Sequence, residues 1–568
     1  MKNFIKILTF LFVISSSPVV AQTLQWVSRI GGPSFDPAPN IPDEIINDIA
    51  TDAQGNVYSC GRIRNNSNIN GQPINNIGGN DILLTKFDCF GNLVWQRVAG
   101  NIDDGDNGNS LALDDQGHIY LTGKIYGGSS LYPITFFDSI IDSIPGVNGM
   151  FLAKLDTSGN FIWGKIGNAP SSGGTKLIID SNENINVLFF SGPGEIFPGV
   201  NLVRGHYIGQ FDTSGNVEKM ILIDADYCDL NDFKIGSPNE FYIIGEFTID
   251  SVEIGGLTLH RIGPPNKYNF FCVKLDSTGV AQWNIHFGSV IGSFTAGYGI
   301  CLDPVGDLYI TGGAYNGLIL GADTLYNSLA PTSQNDFPFV AKVNPQGQVL
   351  WARNLHHTIL GRSSGGIVVK GNGNVIITGF LLGQMIVGPD TLSSVLDAVL
   401  FVAEFHNNGI VLKGETVQSI NGGSNTEARR TICDSNDNVI FSGAFNGSLD
   451  VNGSLVAFAG GYTDGFIIKW GNGLCSVGID DDLGISRGEV RVYPNPAREY
   501  IHFRFVQNPT SKASIEVYDV MGKVVRSVNA TLHTEEVTLD VRGLSPGIYS
   551  YSIRTSEMNY SGKFIVMD

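Results

Sequence analysis

Asp and Gly recur together in short motifs whose carboxylates could bind calcium. The pattern Asp-x-x-Gly stands in segments such as DAQGNVYSCG (52–61) and AKLDTSGNFIW (153–163). Carboxylate oxygens are calcium ligands, but an Asp side chain in a tight turn also accepts hydrogen bonds from the amides that follow it. We predict this second, conformational role. The stretch DDGDNGN (103–109) resembles a calcium loop, yet its Gly has the wrong offset from Asp104 and no Glu completes the ligand set.

Ser and His form no catalytic motif in a supporting context. Gly-x-Ser-x-Gly occurs around Ser363 and Ser545, but this motif activates Ser between a strand and a helix, and the chain has essentially no helical pattern. The nine His residues include no His-Glu-x-x-His motif, and the adjacent His356 and His357 would lie on opposite faces of a strand. We therefore predict no catalytic, metal-binding or cofactor-binding residue, with calcium as the alternative cofactor, and leave enzymatic activity open.

Trp and Lys recur at fixed positions of a repeat. Five of the six Trp residues share one position, for which we predict packing between repeats: Trp26, Trp95, Trp163, Trp283 and Trp351. A second position holds Lys86, Lys154, Lys274, Lys342 and Lys469. An Asp or Asn precedes each Lys by five or six residues, namely Asp81, Asn148, Asn269, Asp336 and Asp464. We predict a hydrogen bond or ion pair within each repeat in preference to a ligand site.

The elements that position these residues are β-hairpins in tandem. Seven copies of one hairpin pattern end in Gly61, Gly123, Gly192, Gly245, Gly312, Gly379 and Gly443. A second pattern alternates with the first, as in TKFDCFGNLVW (85–95), and each pattern joins two alternating apolar strands by a Gly-containing turn. Two hairpins per repeat give four strands. Four-stranded units in a long tandem array predict an all-β fold, a seven-bladed β-propeller over residues 23–470.

The two ends of the repeat region carry complementary halves of one hairpin. The region begins with LQW (24–26) and ends with TDGFIIKW (463–470), so pairing between them would complete the seventh blade. The repeats resemble the SBBP-type bacterial β-propeller repeats of secreted proteins. The resemblance lies in the order of two motifs, Asp-x-x-Gly-Asn-x-Tyr-x-x-Gly and then Asp-x-Phe-x-x-Lys-x-Asp. That resemblance implies the propeller fold and no catalytic residue.

The N-terminus and the charge restrict where the protein works. Residues 1–22 place two Lys before an apolar stretch that ends at small residues, which predicts a secretory signal peptide and no transmembrane segment in the mature chain. A net charge of −19 argues against nucleic acid as a partner. The seven Cys residues are scattered, and Cys272 with Cys301 is the pair that we consider for a disulfide.

Residues 490–568 do not continue the repeat pattern. They follow a linker at 471–489 that contains three consecutive Asp residues. Alternating apolar residues between turns predict a small C-terminal β-sandwich. The order YPNP, YDVMGK, LSPGIY and GKFIV resembles the type A C-terminal sorting domain of the type IX secretion system of Bacteroidetes. The matching residues are Pro494, Asn495, Pro496, Gly522, Lys523, Gly543, Gly547, Tyr549 and Lys563. The resemblance implies recognition by the secretion translocon and a location outside the cell or on its outer surface.

These observations predict a secreted or cell-surface scaffold that binds a glycan or a protein partner. The alternative is a hydrolase or lyase of extracellular polysaccharides, with carboxylates that converge at the mouth of the propeller. A sequence alone does not decide between them, because convergence across blades depends on the closed ring.

Overall fold

The chain divides into two compact units, Met1–Cys475 and Ser476–Asp568. The computed structural model describes residues 24–33, 44–101, 105–126, 134–137, 139–141, 148–224, 227–236, 240–263, 265, 267–288, 296–314, 318–320, 323–329, 337–394, 397–420, 426–451, 453–460, 462–473, 490–493, 497–505, 512–518, 523–531, 536–545, 547–554 and 559–566. These residues form strands, turns and loops, and no helix occurs among them. The predicted all-β class is confirmed.

The compact part Met1–Cys475, which we call the N-terminal unit, contains seven antiparallel sheets with four long strands each. We call these sheets unit one to unit seven, in chain order. Unit one has strands Ile45–Thr51, Val57–Arg64, Asn80–Phe87 and Leu93–Gly100. Unit two has Asn107–Leu113, Ile119–Tyr126, Asn148–Leu155 and Phe161–Ile166. Unit three has Gly173–Ile179, Ile185–Ser191, Gly205–Phe211 and Val217–Asp224. Unit four has Asp229–Gly236, Glu240–Phe247, Asn269–Leu275 and Ala281–Gly288.

Three further units and a set of short strands complete this part. Unit five has Ala296–Leu302, Leu308–Ala314, Phe337–Val343 and Val349–Asn354. Unit six has Leu360–Val369, Val375–Leu382, Val399–Phe405 and Val411–Ile420. Unit seven has Glu427–Cys433, Val439–Phe445, Asp464–Trp470 and Leu24–Gly31. The short strands are Asn68–Ile69, Gln72–Pro73, Ile134–Phe136, Ser139–Ile141, Gly194–Phe197, Val200–Leu202, Ser251–Ile254, Leu257–His260, Leu318–Leu320, Asp323–Leu325, His356–His357, Gln384–Val387, Asp390–Ser393, Ser448–Val451 and Ser454–Val456.

Unit seven takes its fourth strand from the start of the chain. Leu24–Gly31 pairs antiparallel with Asp464–Trp470, with Ser28 opposite Ile467 and Val27 opposite Ile468. The predicted pairing of the two hairpin halves is confirmed. Residues more than 430 positions apart in the sequence therefore belong to one sheet.

The first strands of the seven units contact one another in a closed cycle. Each contacts the first strand of the next unit, and the first strand of unit seven contacts that of unit one. Seven apolar clusters lie between neighbouring units, each built from residues of two adjacent units. Because both faces of a unit are covered, a third strand such as Asn80–Phe87 is buried at every position.

The repeated Trp residues join each unit to the next. Trp26 Nε1 donates a hydrogen bond to Cys89 O at 3.0 Å, and Trp95, Trp163, Trp283 and Trp351 make the equivalent bond to the following unit. The turn that receives Trp26 contains Gly91, whose φ of 86° favours Gly and where a Cβ atom would lie 2.5 Å from the indole. The predicted packing of Trp between repeats is confirmed.

The repeated Lys residues form contacts within their units, but with different partners from those predicted. Four lie over the Tyr opposite them in the sheet, in the pairs Lys86–Tyr58, Lys154–Tyr120, Lys274–Tyr242 and Lys342–Tyr309. Lys342 and Lys469 also pair with turn carboxylates, those of Asp303 and Asp434. The preceding Asp81 and Asp464 instead accept hydrogen bonds from backbone amides, because they lie at the other end of the strand.

The expectation of a disulfide between Cys272 and Cys301 is wrong. Both residues carry buried free thiols, and they belong to different apolar clusters. Burial raises the pKa of the Cys301 thiol to about 12, so this group stays protonated.

The C-terminal unit contains two sheets that share one apolar core. One sheet has Val490–Tyr493, Tyr500–Phe505 and Glu536–Asp540, and the other has Lys512–Tyr518, Val524–Thr531, Gly547–Arg554 and Asn559–Val566. Phe503 from the first sheet and Tyr551 from the second pack edge to face, with ring centroids 4.9 Å apart. The alternating apolar positions of both sheets therefore face each other.

Candidate functional site

A β-bulge interrupts the first strand of every unit at the same level. In unit one, Ile46 lies opposite Gly61 and Asp48 opposite Cys60, so Asn47 has no partner on the second strand. The same one-residue shift occurs in five of the other units, and in unit six three residues, 364–366, lie opposite Thr378. A bulge redirects the side chain of the extra residue, so the cycle of first strands presents a ring of redirected residues.

These residues line a cavity of about 330 Å³, which we call the central cavity. Each unit contributes one bulge residue to its wall, namely Asn47, Asn109, Thr175, Asn231, Tyr298, Gly365 and Arg429. Lys176, Asp232 and Arg430 also line it, and each follows a bulge residue in the sequence. The wall therefore consists mainly of amide, hydroxyl and charged groups.

Three bulge Asn side chains tie neighbouring units together. Asn47 Nδ2 donates to Gly108 O at 2.9 Å, Asn109 Nδ2 to Gly174 O at 2.7 Å, and Asn231 Nδ2 to Gly297 O at 2.8 Å. Each amide thus reaches the first strand of the next unit. The hydrogen bonds hold the wall in place before any ligand arrives.

Asp48 lies behind the wall and is almost inaccessible to solvent. Lys176 Nζ lies 2.7 Å from its Oδ2, Arg430 Nε lies 3.1 Å from its Oδ1, and Ser110 Oγ donates to it at 2.6 Å. Burial alone would raise the pKa of Asp48, but the charges of Lys176 and Arg430 outweigh burial and lower it. Asp48 is therefore ionised and fully engaged, which makes it a poor proton donor.

Asp232, on the first strand of unit four, joins the ion pairs around Asp48 through Arg430. Arg430 Nη1 lies 3.6 Å and Lys234 Nζ 3.5 Å from Asp232 Oδ2. Burial, with the nearby Arg430 and Lys176 charges, lowers the pKa of Lys234 to about 8. At pH 7 the three cations exceed the two carboxylates by one charge. An anionic group in the central cavity is favoured by that excess, although the whole chain is acidic.

A pair of carboxylates lies two residues before the bulge of unit four. Asp229 and Glu246 are register partners on adjacent strands, so their Cβ atoms are about 5 Å apart. Burial, and then the Asp229 charge, raises the pKa of Glu246 to about 7, against the opposing effect of Arg362. Glu246 Oε2 is buried without a hydrogen-bond partner. The sequence offered no signal for this pair, because the two residues belong to no recurring motif.

The Asp turns have the predicted conformational role. Asp52 Oδ1 accepts hydrogen bonds from the amides of Gln54 and Asn56, at 3.0 and 2.9 Å, and its Oδ2 accepts one from the Asn56 side chain. The equivalent Asp residues make the same bonds. In DDGDNGN, Asp104 lies outside the described residues, and Asp106 accepts hydrogen bonds from the amides of Asn101 and Tyr126.

The predicted sorting residues fall in turns and strands of the C-terminal unit where they are described. Gly543 has a φ of 79° in a turn, Lys523 is exposed, and the Tyr549 hydroxyl donates to Ser545 O at 2.7 Å. Gly547 and Lys563 lie in the paired strands Gly547–Arg554 and Asn559–Val566. Pro494, Asn495, Pro496 and Gly522 lie outside the described residues.

Comparison with known protein families identifies residues 491–567 as a secretion system C-terminal sorting domain. The resemblance inferred from the four terminal motifs is confirmed. The domain indicates export by the type IX system and a secreted or cell-surface location. No helix among the described residues is both long and apolar enough to span a membrane.

The chain resembles several solved structures at low sequence identity. No curated protein sequence matches it. A protein of unknown function from Bacteroides caccae is 11% identical, with 60% of this chain and 92% of that one covered and a TM-score of 0.32. A PL25 ulvan lyase is 11% identical, with 75% and 97% covered and a TM-score of 0.38. A fungal alcohol oxidase in complex with copper is 13% identical, with 94% and 100% covered and a TM-score of 0.32.

Proposed function

We propose that residues 23–470 form a seven-bladed β-propeller of the SBBP repeat type, which works outside the cell as a binding module for acidic glycans. The closed cycle of first strands and the seven clusters between units support the propeller. In this arrangement residues 1–22 are a signal peptide, 471–489 a linker and 490–568 the sorting domain. The sorting domain supports an extracellular site of action.

The observation that carries the glycan proposal is the polar wall of the central cavity with its buried excess of positive charge. Sugars offer many hydroxyl groups, and amide and hydroxyl side chains hydrogen-bond to them. A uronic acid or sulfate group adds an anion that an Arg guanidinium binds with directional hydrogen bonds. Arg429 lies on the wall with 44% of its side chain exposed.

The size of the cavity favours a glycan over a protein partner. Small-ligand sites typically enclose about 300–1,000 Å³, whereas stable protein interfaces bury about 800 Å² on each partner. A cavity of about 330 Å³ accommodates a short run of sugar residues. A folded protein would reach only its rim.

A thermal unfolding screen tests the glycan proposal. The full secreted chain is heated with oligosaccharides that carry uronic acid or sulfate groups, and with neutral oligosaccharides of the same length. We expect a saturable rise in Tm with an acidic glycan only, because a ligand at about 100 times its Kd adds about 2.7 kcal/mol. An equal rise with neutral glycans, or none with any glycan, would contradict the proposal.

Asp229 and Glu246 favour one second candidate, a hydrolase or lyase of acidic polysaccharides. Carboxyl groups about 5–10 Å apart serve as acid and base or nucleophile in glycoside cleavage, and the acid has a raised pKa. The raised pKa of Glu246 and its partner Asp229 fit these roles. Asp229 lies on the same strand as Asn231 of the cavity wall, so a polysaccharide bound in the central cavity would pass near this pair.

An activity assay with wild type and Glu246→Gln separates the two functions. If Glu246 is the general acid, cleavage falls as the pH rises through about 7, and Glu246→Gln lowers the rate about 100-fold or more. Asp323→Asn, which changes a half-exposed carboxylate on the short strand Asp323–Leu325, serves as the control. Wild-type protein that binds the glycan without cleaving it would eliminate the enzyme and leave the binding module.

We assign recognition by the secretion machinery to the matched residues of the sorting domain. The exposed Lys523 and the turn at Gly543 are candidates for direct contact with the translocon. The assignment rests on the family match to residues 491–567.

A further inference from the structure

A His, an Asp and a Cys converge where unit three passes into unit four. His206 and Asp224 are register partners on the third and fourth strands of unit three, and Cys228 precedes the first strand of unit four. His206 Nδ1 lies 2.7 Å from Asp224 Oδ1, and Cys228 Sγ lies 2.8 Å from Asp224 Oδ2. The three ligand atoms lie within 4.8 Å of one another.

We infer that His206, Asp224 and Cys228 bind one zinc ion. Zinc takes imidazole nitrogen, carboxylate oxygen and thiolate sulfur at about 2.0–2.3 Å, so its ligand atoms lie about 3–4 Å apart. A small outward movement of the three side chains creates that spacing. The mixed N, O and S set does not suit calcium or magnesium, which prefer oxygen ligands alone.

The surroundings hold two of these ligands in place. All three side chains are buried, with residue exposures of 9%, 4% and 7% for His206, Asp224 and Cys228. The amide of Tyr227 donates to Asp224 Oδ2 at 3.2 Å, and the Phe190 ring packs 5.1 Å from the imidazole. Such contacts orient metal ligands and strengthen binding.

Three protein ligands leave one of the four tetrahedral positions of zinc, which a water molecule would occupy. Because Cys228 lies in the connection that leads into unit four, the bound zinc would also fasten this connection to unit three.

The buried Cys272 provides a matched comparison. It lies in an apolar cluster, and burial alone raises the pKa of its thiol well above the ordinary range. Cys228, in contrast, lies beside a carboxylate and an imidazole. If metal binding depends on Cys228 and not on Cys272, the metal therefore binds at the cluster and not at any buried thiol.

Titration of the metal-free full chain with Zn²⁺, and then with Co²⁺, tests the inference. We expect one Zn²⁺ per chain, release of a proton from the thiol, a rise in Tm, and a thiolate-to-cobalt charge-transfer band. Cys228→Ser should remove the band and weaken Zn²⁺ binding about tenfold or more, while Cys272→Ser should change neither.

Two results would overturn the zinc site. One is a wild-type chain that takes up no stoichiometric Zn²⁺ or gives no thiolate band with Co²⁺, a result that depends on no variant. The other is a folded Cys228→Ser protein, judged by its circular dichroism, that binds Zn²⁺ as tightly as wild type. Neither result bears on the glycan proposal, whose residues lie in the central cavity.

Discussion

Deletion of Leu24–Gly31 should abolish the cooperative thermal transition of the N-terminal unit. This strand is the fourth of unit seven, and it buries Trp26 and Ile30 in the cluster between units seven and one. Loss of each such side chain costs about 2–5 kcal/mol, and the deletion also exposes the edge of Asp464–Trp470. The sum approaches the whole stability of a typical domain, about 5–15 kcal/mol. Circular dichroism on heating and light scattering measure the effect.

A circular permutant provides the control for this deletion. Leu24–Gly31 is moved to follow Trp470 through the turn DCFGN (88–92), which joins the third and fourth strands of unit one. If the strand acts only by closing unit seven, the permutant should unfold at the wild-type Tm. A deletion variant with an unchanged cooperative transition would contradict the closure.

Asp434→Asn should destabilise the N-terminal unit by about 3–5 kcal/mol. Lys469 Nζ lies 2.8 Å from Asp434 Oδ2, and both side chains are fully buried. Asn keeps an acceptor for the amides of Asn436 and Asn438 but leaves the Lys469 ammonium without its opposite charge. Urea unfolding of wild type and variant measures the difference. Asp276→Asn, in an equivalent but exposed turn, should leave the urea midpoint nearly unchanged.

The contribution of Asp434 to the free energy of unfolding should decrease at low pH. Burial alone would raise its pKa, but hydrogen bonds from Asn438 and the Lys469 charge outweigh burial and lower it. The folded pKa therefore lies below the unfolded value of about 3.9. The stabilisation is complete above about pH 4 and is lost as the pH falls through the folded pKa. A difference between wild type and variant that is constant from pH 7 to below pH 3 would contradict this ion pair.

The hairpins, their number and the closure of unit seven could be predicted because each depends on local pattern. Alternating apolar residues fix the strands, and Asp-x-x-Gly fixes the turns. The position of Trp26 predicts packing because a bulky residue at a fixed repeat position must meet the next repeat. These features need no knowledge of which residues meet across the ring.

The contacts of the repeated Lys residues were predicted wrongly, because they depend on the register between neighbouring strands. Lys86 lies opposite Tyr58 in the sheet, so its ammonium contacts that ring and not Asp81. In unit six the charges are exchanged, with Lys370 where other units have Asp and Glu404 where they have Lys, 4.0 Å apart. The segments KGNGNVIITG and AEFHNNG contain this exchange, which would have identified Asp and Lys as partners across two hairpins.

The residues of the central cavity were not predicted, because their convergence requires both the bulges and the contacts between successive first strands. A weak signal exists in the sequence, since Asn47, Asn109 and Asn231 are each followed directly by Asp or Ser and then by apolar residues. Such polar pairs inside strands mark a bulge. Their convergence on one cavity depends on contacts between strands more than 60 residues apart.

The most direct test of a glycan site in the central cavity is calorimetric titration of an acidic oligosaccharide into two Arg variants. Arg429 and Arg353 are matched, with 44% and 43% of their side chains exposed and each paired with a carboxylate, but only Arg429 lines the cavity. We expect Arg429→Gln to weaken binding about tenfold, which is about 1.4 kcal/mol, and Arg353→Gln to bind like wild type. Equal affinities of both variants and wild type would place the glycan elsewhere and contradict the proposed site.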